Sequence, residues 1–240
     1  MPCALCLSDA PLRDSHIIPE FMYEYLYDDI HRFHVLHRAE GERNRYEQKG
    51  LRQKLLCDNC EQQIGRYERY VSHVFGGTIE LEYETHGRLV IVKNIDYKAM
   101  RLFQLSVLWR AGISSLPFFS QVDLGRHQET LRQLIASENT GNEWQYGCMM
   151  FSLLHDGKLQ SDLIVEPTPS KVEGTRGYRF VFGGHLWFFF VANHRSSNKL
   201  ETQSLAPTGE LRLLKSDLTS AKFITEIAND LVRHGKFSAR

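Results

Sequence analysis

An imbalance of charge is the first thing missing from this 240-residue chain, since Lys and Arg together number 29 and so do Asp and Glu. A neutral protein has no overall field to draw in nucleic acid or an anionic membrane, so such a partner has to be argued from a local patch. Long apolar runs are missing too. The most hydrophobic stretch, Tyr178 to Ala192, is broken by Gly183, Gly184 and His185 and is too short to cross a bilayer as a helix. No apolar segment follows positive charge in Met1 to Ser15, so no secretory signal is expected. The expectation is a soluble, cytoplasmic protein with no membrane partner. Pro and Gly are sparse, at 7 and 17 residues, and no repeat or low-complexity segment occurs, which excludes collagen-like and disordered classes. Cysteine is scarce, with five in all, but four form two C-x-x-C pairs, Cys3/Cys6 and Cys57/Cys60. In a reducing compartment that arrangement points to metal rather than to disulfides. Cys148 stands among apolar neighbours and reads as a small buried hydrophobe.

The text changes character along its length. Residues 1–77 are rich in Cys, His, Tyr and charge and poor in apolar runs, as in small modules stapled by a metal. Residues 78–240 carry ordinary patterns: a hairpin over Ile79–Glu84 and Arg88–Val92, then a helix from Asp96 to about Ala111. That helix shows one apolar face, with Asp96 as its cap and Gly112 as its end. A more exposed helix follows over about Arg126–Glu138. Strands come next over YGCMMFSLLH, SDLIVEP, GYRFVFGG and HLWFFFVAN, the last a buried central strand, with Glu166–Thr175 as a loop. A closing helix covers Ser216–Arg233, capped by Ser216 or Asp217. The expected fold class is α+β: a zinc-bound module over 1–77, then a mixed domain over 78–240 with an antiparallel sheet and flanking helices.

Zinc prefers four soft or borderline ligands in a tetrahedron, and each C-x-x-C knuckle presents two thiolates to one ion. Cys3, Cys6, Cys57 and Cys60 are therefore expected to hold one structural Zn2+. A sphere filled by four thiolates leaves no position for water or substrate, so chemistry has to lie elsewhere. The leading candidate is His16, in Asp14-Ser15-His16-Ile17-Ile18-Pro19.

C-x-x-C, then H-I-I-P, then L-L-C-x-x-C opening a helix, resembles the treble-clef arrangement of the HNH, or ββα-metal, endonucleases. The resemblance covers roughly the first 70 residues, with a long insertion between the histidine and the second cysteine pair. It implies that His16 is the general base activating water against a phosphodiester. It also implies a catalytic Mg2+ or Mn2+ ion, with Glu61 as ligand in the position usually held by histidine or asparagine, and Asp14 as a second candidate ligand. The residue before the histidine is Ser15 where the family usually has an acidic residue or histidine. Asp14 shares the strand face of His16 and does not simply replace position 15. Glu68, two helical turns beyond Glu61, reads as a carboxylate paired with a basic residue or as a further ligand. Asn44 and Gln53 are candidates for the asparagine that orients the base.

The insertion supplies the local charge that the whole chain lacks. Arg38, Arg43, Arg45, Lys49, Arg52 and Lys54 fall in one short stretch, of which Arg45, Lys49, Arg52 and Lys54 are the expected DNA contacts, and Tyr46 could stack on a base. His31, His34 and His37 recur every third residue and read as surface histidines or phosphate contacts rather than as a metal cluster. Residues 78–240 show no phosphate loop and no nucleophile elbow. They are expected to act as a sensor, targeting or dimerisation module, contacting a second copy or a partner protein. By analogy with modular bacterial nucleases, the whole is expected to serve phage defence or a mobile element. The rival expectation is a non-catalytic zinc adaptor that binds nucleic acid or protein.

Overall fold

A computed structural model describes residues 1–36, 41–195 and 202–236. The chain begins with the first cysteine knuckle and runs into β1 (Leu12–His16). A 3-10 turn (Glu20–Leu26) leads to a small hairpin, β2 (Phe33–Val35) and β3 (Arg45–Glu47). The chain then returns along β4 (Arg52–Cys57), antiparallel to β1, and enters helix α1 (Asp58–Phe75) directly, with Cys57 at its N-cap. Two paired strands and a helix thus surround the second cysteine pair. The β1/β4 ladder sets His16 opposite Arg52 and Ser15 opposite Gln53, and a bulge falls between Arg13 and Asp14. Such a bulge leaves backbone groups of the longer strand outside the ladder. Leu55 O accepts instead from Ala4 N at 2.9 Å, and Leu56 N donates to Ser15 Oγ at 3.2 Å.

The second half is built on a twisted sheet. Its strands are β5 (Glu82–His86), β6 (Leu89–Lys93), β7 (Cys148–His155), β8 (Lys158–Leu159), β9 (Val165–Val172), β10 (Thr175–Phe182), β11 (His185–Phe190) and β12 (Leu211–Asp217). Their order is β5-β6-β12-β7-β11-β10-β9, with β8 paired to β7. Helices α2 (Tyr97–Ile113), α3 (His127–Ala136) and α4 (Lys222–Arg233) pack around it. The mixed α+β class expected from the sequence is what the chain adopts.

Several elements differ from expectation. The Glu166–Thr175 loop is replaced by β9, which reaches Val172 and contains Pro167 and Pro169. An edge strand can carry prolines because one row of its N–H groups has no partner to lose, and β9 lies at the edge of the sheet. The closing helix begins at Lys222, and the preceding residues form β12, inserted between β6 and β7. Asp217 caps only a 3-10 turn, accepting from Thr219 N at 2.8 Å. Strand β12 runs parallel to β7, so the sheet is not wholly antiparallel. Helix α2 has the expected Asp96 cap, which accepts from Ala99 N at 2.9 Å, but runs through Gly112 to Ile113. Gly112 is needed for packing, since a Cβ there would lie 2.1 Å from a Leu124 methyl carbon.

Helix α2 is also buried on every side from Met100 to Ala111, where the sequence pattern suggests one apolar face. Its two buried arginines are accommodated because their heads reach carbonyl oxygens, whereas the Gln104 amide, equally buried, has no hydrogen-bond partner among the described residues. Arg101 Nη1 donates to Tyr146 O at 2.8 Å, and Arg110 Nη1 donates to His16 O at 2.5 Å. One apolar cluster runs from Cys3 and Leu5 through Ile17, Val71 and Leu108 to Trp187 and Leu211, so residues 1–77 and 78–240 share a core. Gln63 Nε2 on α1 donates to Ile135 O at 2.7 Å, and Arg132 Nη1 on α3 donates to Leu5 O, inside the first knuckle, at 2.6 Å. Among the described residues no helix is long and apolar enough to cross a membrane.

Candidate metal centre and candidate active site

The four cysteines converge although 51 residues separate Cys6 from Cys57. Their sulfur atoms all lie within 4.8 Å of one another, with Cys6 Sγ and Cys57 Sγ 3.7 Å apart. Tetrahedral thiolates about 2.3 Å from a zinc ion stand roughly 3.8 Å from each other, so the donor set has the size and chemistry such an ion requires. The backbone prepares the site. Leu7 N donates to Cys3 O and Cys3 N to Ser8 O, both at 2.9 Å, and Leu7 takes a left-handed φ of 63°, which closes the first knuckle. Cys57 N donates to Cys3 Sγ at 3.3 Å, an amide hydrogen bond that holds the sulfur in place. The Ser8 hydroxyl 2.9 Å from Cys6 Sγ lowers that thiol to about 6, whereas burial pushes Cys60 up. Among the described residues no other group of three or more Cys, His, Asp or Glu side chains converges in this way. A four-cysteine cluster that could hold a metal such as zinc is therefore present.

Across the β1/β4 pair from the sulfurs lies a second polar cluster. The Ser15 side chain is fully buried. Its oxygen accepts from Leu56 N and its hydroxyl donates to the Glu61 carboxylate in the first turn of α1. Serine 15 and Glu61, the two positions at which the chain departs from the HNH pattern, are thus each other's partners. Burial raises the Glu61 pKa, and the Ser15 bond and the charge of Arg110 pull it back only in part.

His16 ends β1 half-buried, with Nε2 2.5 Å from a Glu20 carboxylate oxygen, and the other Glu20 oxygen accepts from Tyr27 Oη at 2.7 Å. Burial is the largest influence on the His16 pKa and lowers it; Glu20 opposes that, and Arg52, its cross-strand neighbour, adds to it. The Glu20 carboxylate is placed to pair with the imidazole once it is protonated, but the contact at Nε2 lacks hydrogen-bond geometry and fixes no tautomer. Behind both groups stands Arg110 of α2, with a side chain only 2% exposed. It donates to His16 O, pairs with Glu68 at 2.7 Å, and acts electrostatically on both His16 and Glu61. Glu68 is thus the paired carboxylate of the two readings weighed for it, held by a buried guanidinium.

The remaining candidates divide. Asp14 is exposed, while its neighbour Ser15 is the β1 residue that reaches Glu61. Gln53 is not an orienting group for His16, because its Oε1 accepts from Ser115 N at 2.9 Å and Ser114 Oγ at 3.1 Å, fastening β4 to the end of α2. Asn44 donates to Lys236 O at 2.8 Å. Arg45 pairs with Glu47 at 2.7 Å, whereas Lys49, Arg52 and Lys54 have no ion pair among the described residues. Tyr46 is exposed and already stacked on His34. His37 and Arg38 lie outside the described residues. The residues missed in the sequence are Glu20 and Arg110. Glu20 falls four residues after His16, a visible spacing had a helical turn been expected after Pro19. Arg110 had no sequence signal, since an arginine in a helix ordinarily faces solvent.

Compared with protein-family models, with curated proteins and with solved structures, the chain matches none.

Proposed function

We propose that this chain is a metal-dependent endonuclease of the HNH type that hydrolyses phosphodiester bonds in DNA, with a structural zinc ion on Cys3, Cys6, Cys57 and Cys60. The observation that carries the reading is the placement of His16 and Glu61. One ends the first strand and the other opens the helix of a strand-strand-helix unit braced by four cysteines, and they share Arg110 and Glu68 as charged neighbours. In this reading the His16 imidazole takes a proton from the attacking water, and the Glu20 carboxylate beside it stabilises the imidazolium that forms. A divalent ion such as magnesium or manganese, when bound, stabilises negative charge on the phosphate and on the leaving oxygen. Glu61 is the carboxylate offered to it. Magnesium keeps several waters and is commonly held by one or two carboxylates together with substrate phosphates, so a single carboxylate is enough protein ligation. Lys49, Arg52 and Lys54 supply phosphate contacts beside His16, and residues 78–240 supply a sensing, targeting or dimerising surface, in keeping with a role in phage defence or a mobile element.

A second reading is favoured by one specific observation: the Glu61 carboxylate is engaged by Ser15 and its pKa is raised by burial, as suits a structural group in a non-catalytic zinc adaptor. A plasmid-nicking assay with Mg2+ or Mn2+ separates the two. The endonuclease nicks, and His16→Ala and Glu61→Gln each slow it by about 10²- to 10⁴-fold. Nicking that survives His16→Ala removes the mechanism, and no cleavage of duplex or single strand selects the adaptor.

A further inference from the structure

The insertion between β1 and β4 carries an arrangement that the zinc site and His16 do not use. Between Asp28 and Tyr46 three planar groups are stacked in series. The Arg32 guanidinium carbon lies 4.4 Å from the Tyr46 ring centre, and the His34 and Tyr46 rings stack at 4.7 Å with 14° between their planes. His34 and Tyr46 face each other across the β2/β3 ladder, so the hairpin register itself sets the stack. Arg32 is fixed from the other end, since Asp28 accepts from its Nε at 3.1 Å, its Nη2 at 2.9 Å and its backbone N at 2.8 Å. A second stack, Tyr27 against His31 at 3.8 Å and 17°, stands in the same loop.

These planes are not core. Tyr46 is 57% exposed and His34 and His31 are exposed, as are Tyr25 and Ile30 at 63% and 62%. The same insertion carries exposed Arg43 and Lys49, and Arg45 paired to Glu47. A solvent-facing series of aromatic and cationic planes has the chemistry that binds unpaired bases: the outer planes, the Arg32 guanidinium and the His34 imidazole, each offer a face to a base, Tyr46 holds them together from between, and the basic residues follow the phosphates. A paired base keeps its faces against its own neighbours and gives such planes nothing to stack on.

Resting on the endonuclease reading, which makes DNA the nucleic acid, we infer that the β2/β3 hairpin is a docking surface for single-stranded or locally unpaired DNA, which it holds beside His16. Fluorescence anisotropy of the full chain with a labelled thymidine oligomer tests this without any cleavage, when run beside a uridine RNA oligomer and a hairpin duplex with no added Mg2+ or Mn2+. The thymidine oligomer is expected to bind most tightly. Tyr46→Ala is expected to weaken it between about fivefold and a hundredfold, and Tyr46→Phe to leave it near wild type. His34→Ala, which removes an outer plane, is expected to weaken it while leaving the thermal unfolding of the chain close to wild type. Equal affinity in wild type, Tyr46→Ala and His34→Ala overturns the inference, as does tighter binding of the duplex or of RNA, or no binding at all. Nicking is scored separately with Mn2+ present, so an inactive wild type that still holds the thymidine oligomer through Tyr46 sinks the endonuclease and keeps the docking surface.

Discussion

At the scale of single residues, the partners of His16 and Glu61 decide what each can do. Glu20 favours the protonated imidazole, so replacing it has a direction that can be worked out. Glu20→Gln keeps a group that can accept from Nε2 but removes the charge. The His16 pKa then falls further, the acid limb of the pH–rate profile moves to lower pH, and the rate drops by about tenfold as an interaction worth roughly 1.5 kcal/mol with the imidazolium is lost. A pH–rate profile of plasmid nicking checks this, and an acid limb that stays in place removes Glu20 from the mechanism. His185 offers an independent titration far from any proposed ligand. It is 7% exposed, its Nδ1 lies 2.7 Å from Gly183 O, and burial lowers its pKa to about 4. The unfolded chain has the higher value, about 6.5, so it binds more protons between these limits. Stability is complete above about pH 6.5 and declines as pH falls toward 4, by about 3 kcal/mol from this group. Denaturant unfolding of wild type and His185→Gln at pH 7 and pH 4.5 should show a smaller loss in the variant; equal losses would place the acid sensitivity elsewhere.

At the scale of elements, what could be read in the sequence was what local rules encode. The cysteine pairs, the LLC strand running into a helix and the Asp96 cap each follow from residues close in sequence, and all were legible. Strand β9 was not, because Pro167 and Pro169 read as loop unless the strand is known to lie at an edge. Strand β12 was not, because LRLLKSD precedes a helix-capping pattern and only its partners, β6 and β7, make it a strand. The candidate site split the same way. Its cysteines and His16 have a motif, whereas Ser15 paired to Glu61 and Arg110 behind both depend on contacts across the fold. The sulfurs of the unit of β1, β4 and α1 reinforce the β1/β4 ladder and the Ala4 N to Leu55 O hydrogen bond that also join the first knuckle to the second pair. Metal analysis of purified chain is expected to give one zinc per molecule. Cys57→Ser is expected to lose it and to melt at a lower temperature, while the core shared with residues 78–240 keeps a cooperative transition. A Cys57→Ser chain with unchanged melting would make the metal dispensable to the fold.

At the scale of the whole molecule, the two halves meet along α2, and Arg110 is one of the groups that fasten them. Breaking a buried ion pair leaves its other charge without a partner, so Arg110→Met is expected to destabilise the chain by about 3–5 kcal/mol. Much of that should return in Arg110→Met/Glu68→Leu, which removes both charges. Chemical denaturation of the three proteins checks this, and equal stability of the single and double variants would show that the pair is not coupled. Strand β12 reaches further still. Because it lies between β6 and β7, the β5/β6 hairpin and the β7 to β11 strands are two separate sheets until residues 211–217 arrive. A ribosome that stalls short of that point releases a chain with two interior edges bare, open to pairing with other chains. Assembly of the sheet therefore waits on residues 211–217, and a translation product that lacks them is marked for aggregation or proteolysis.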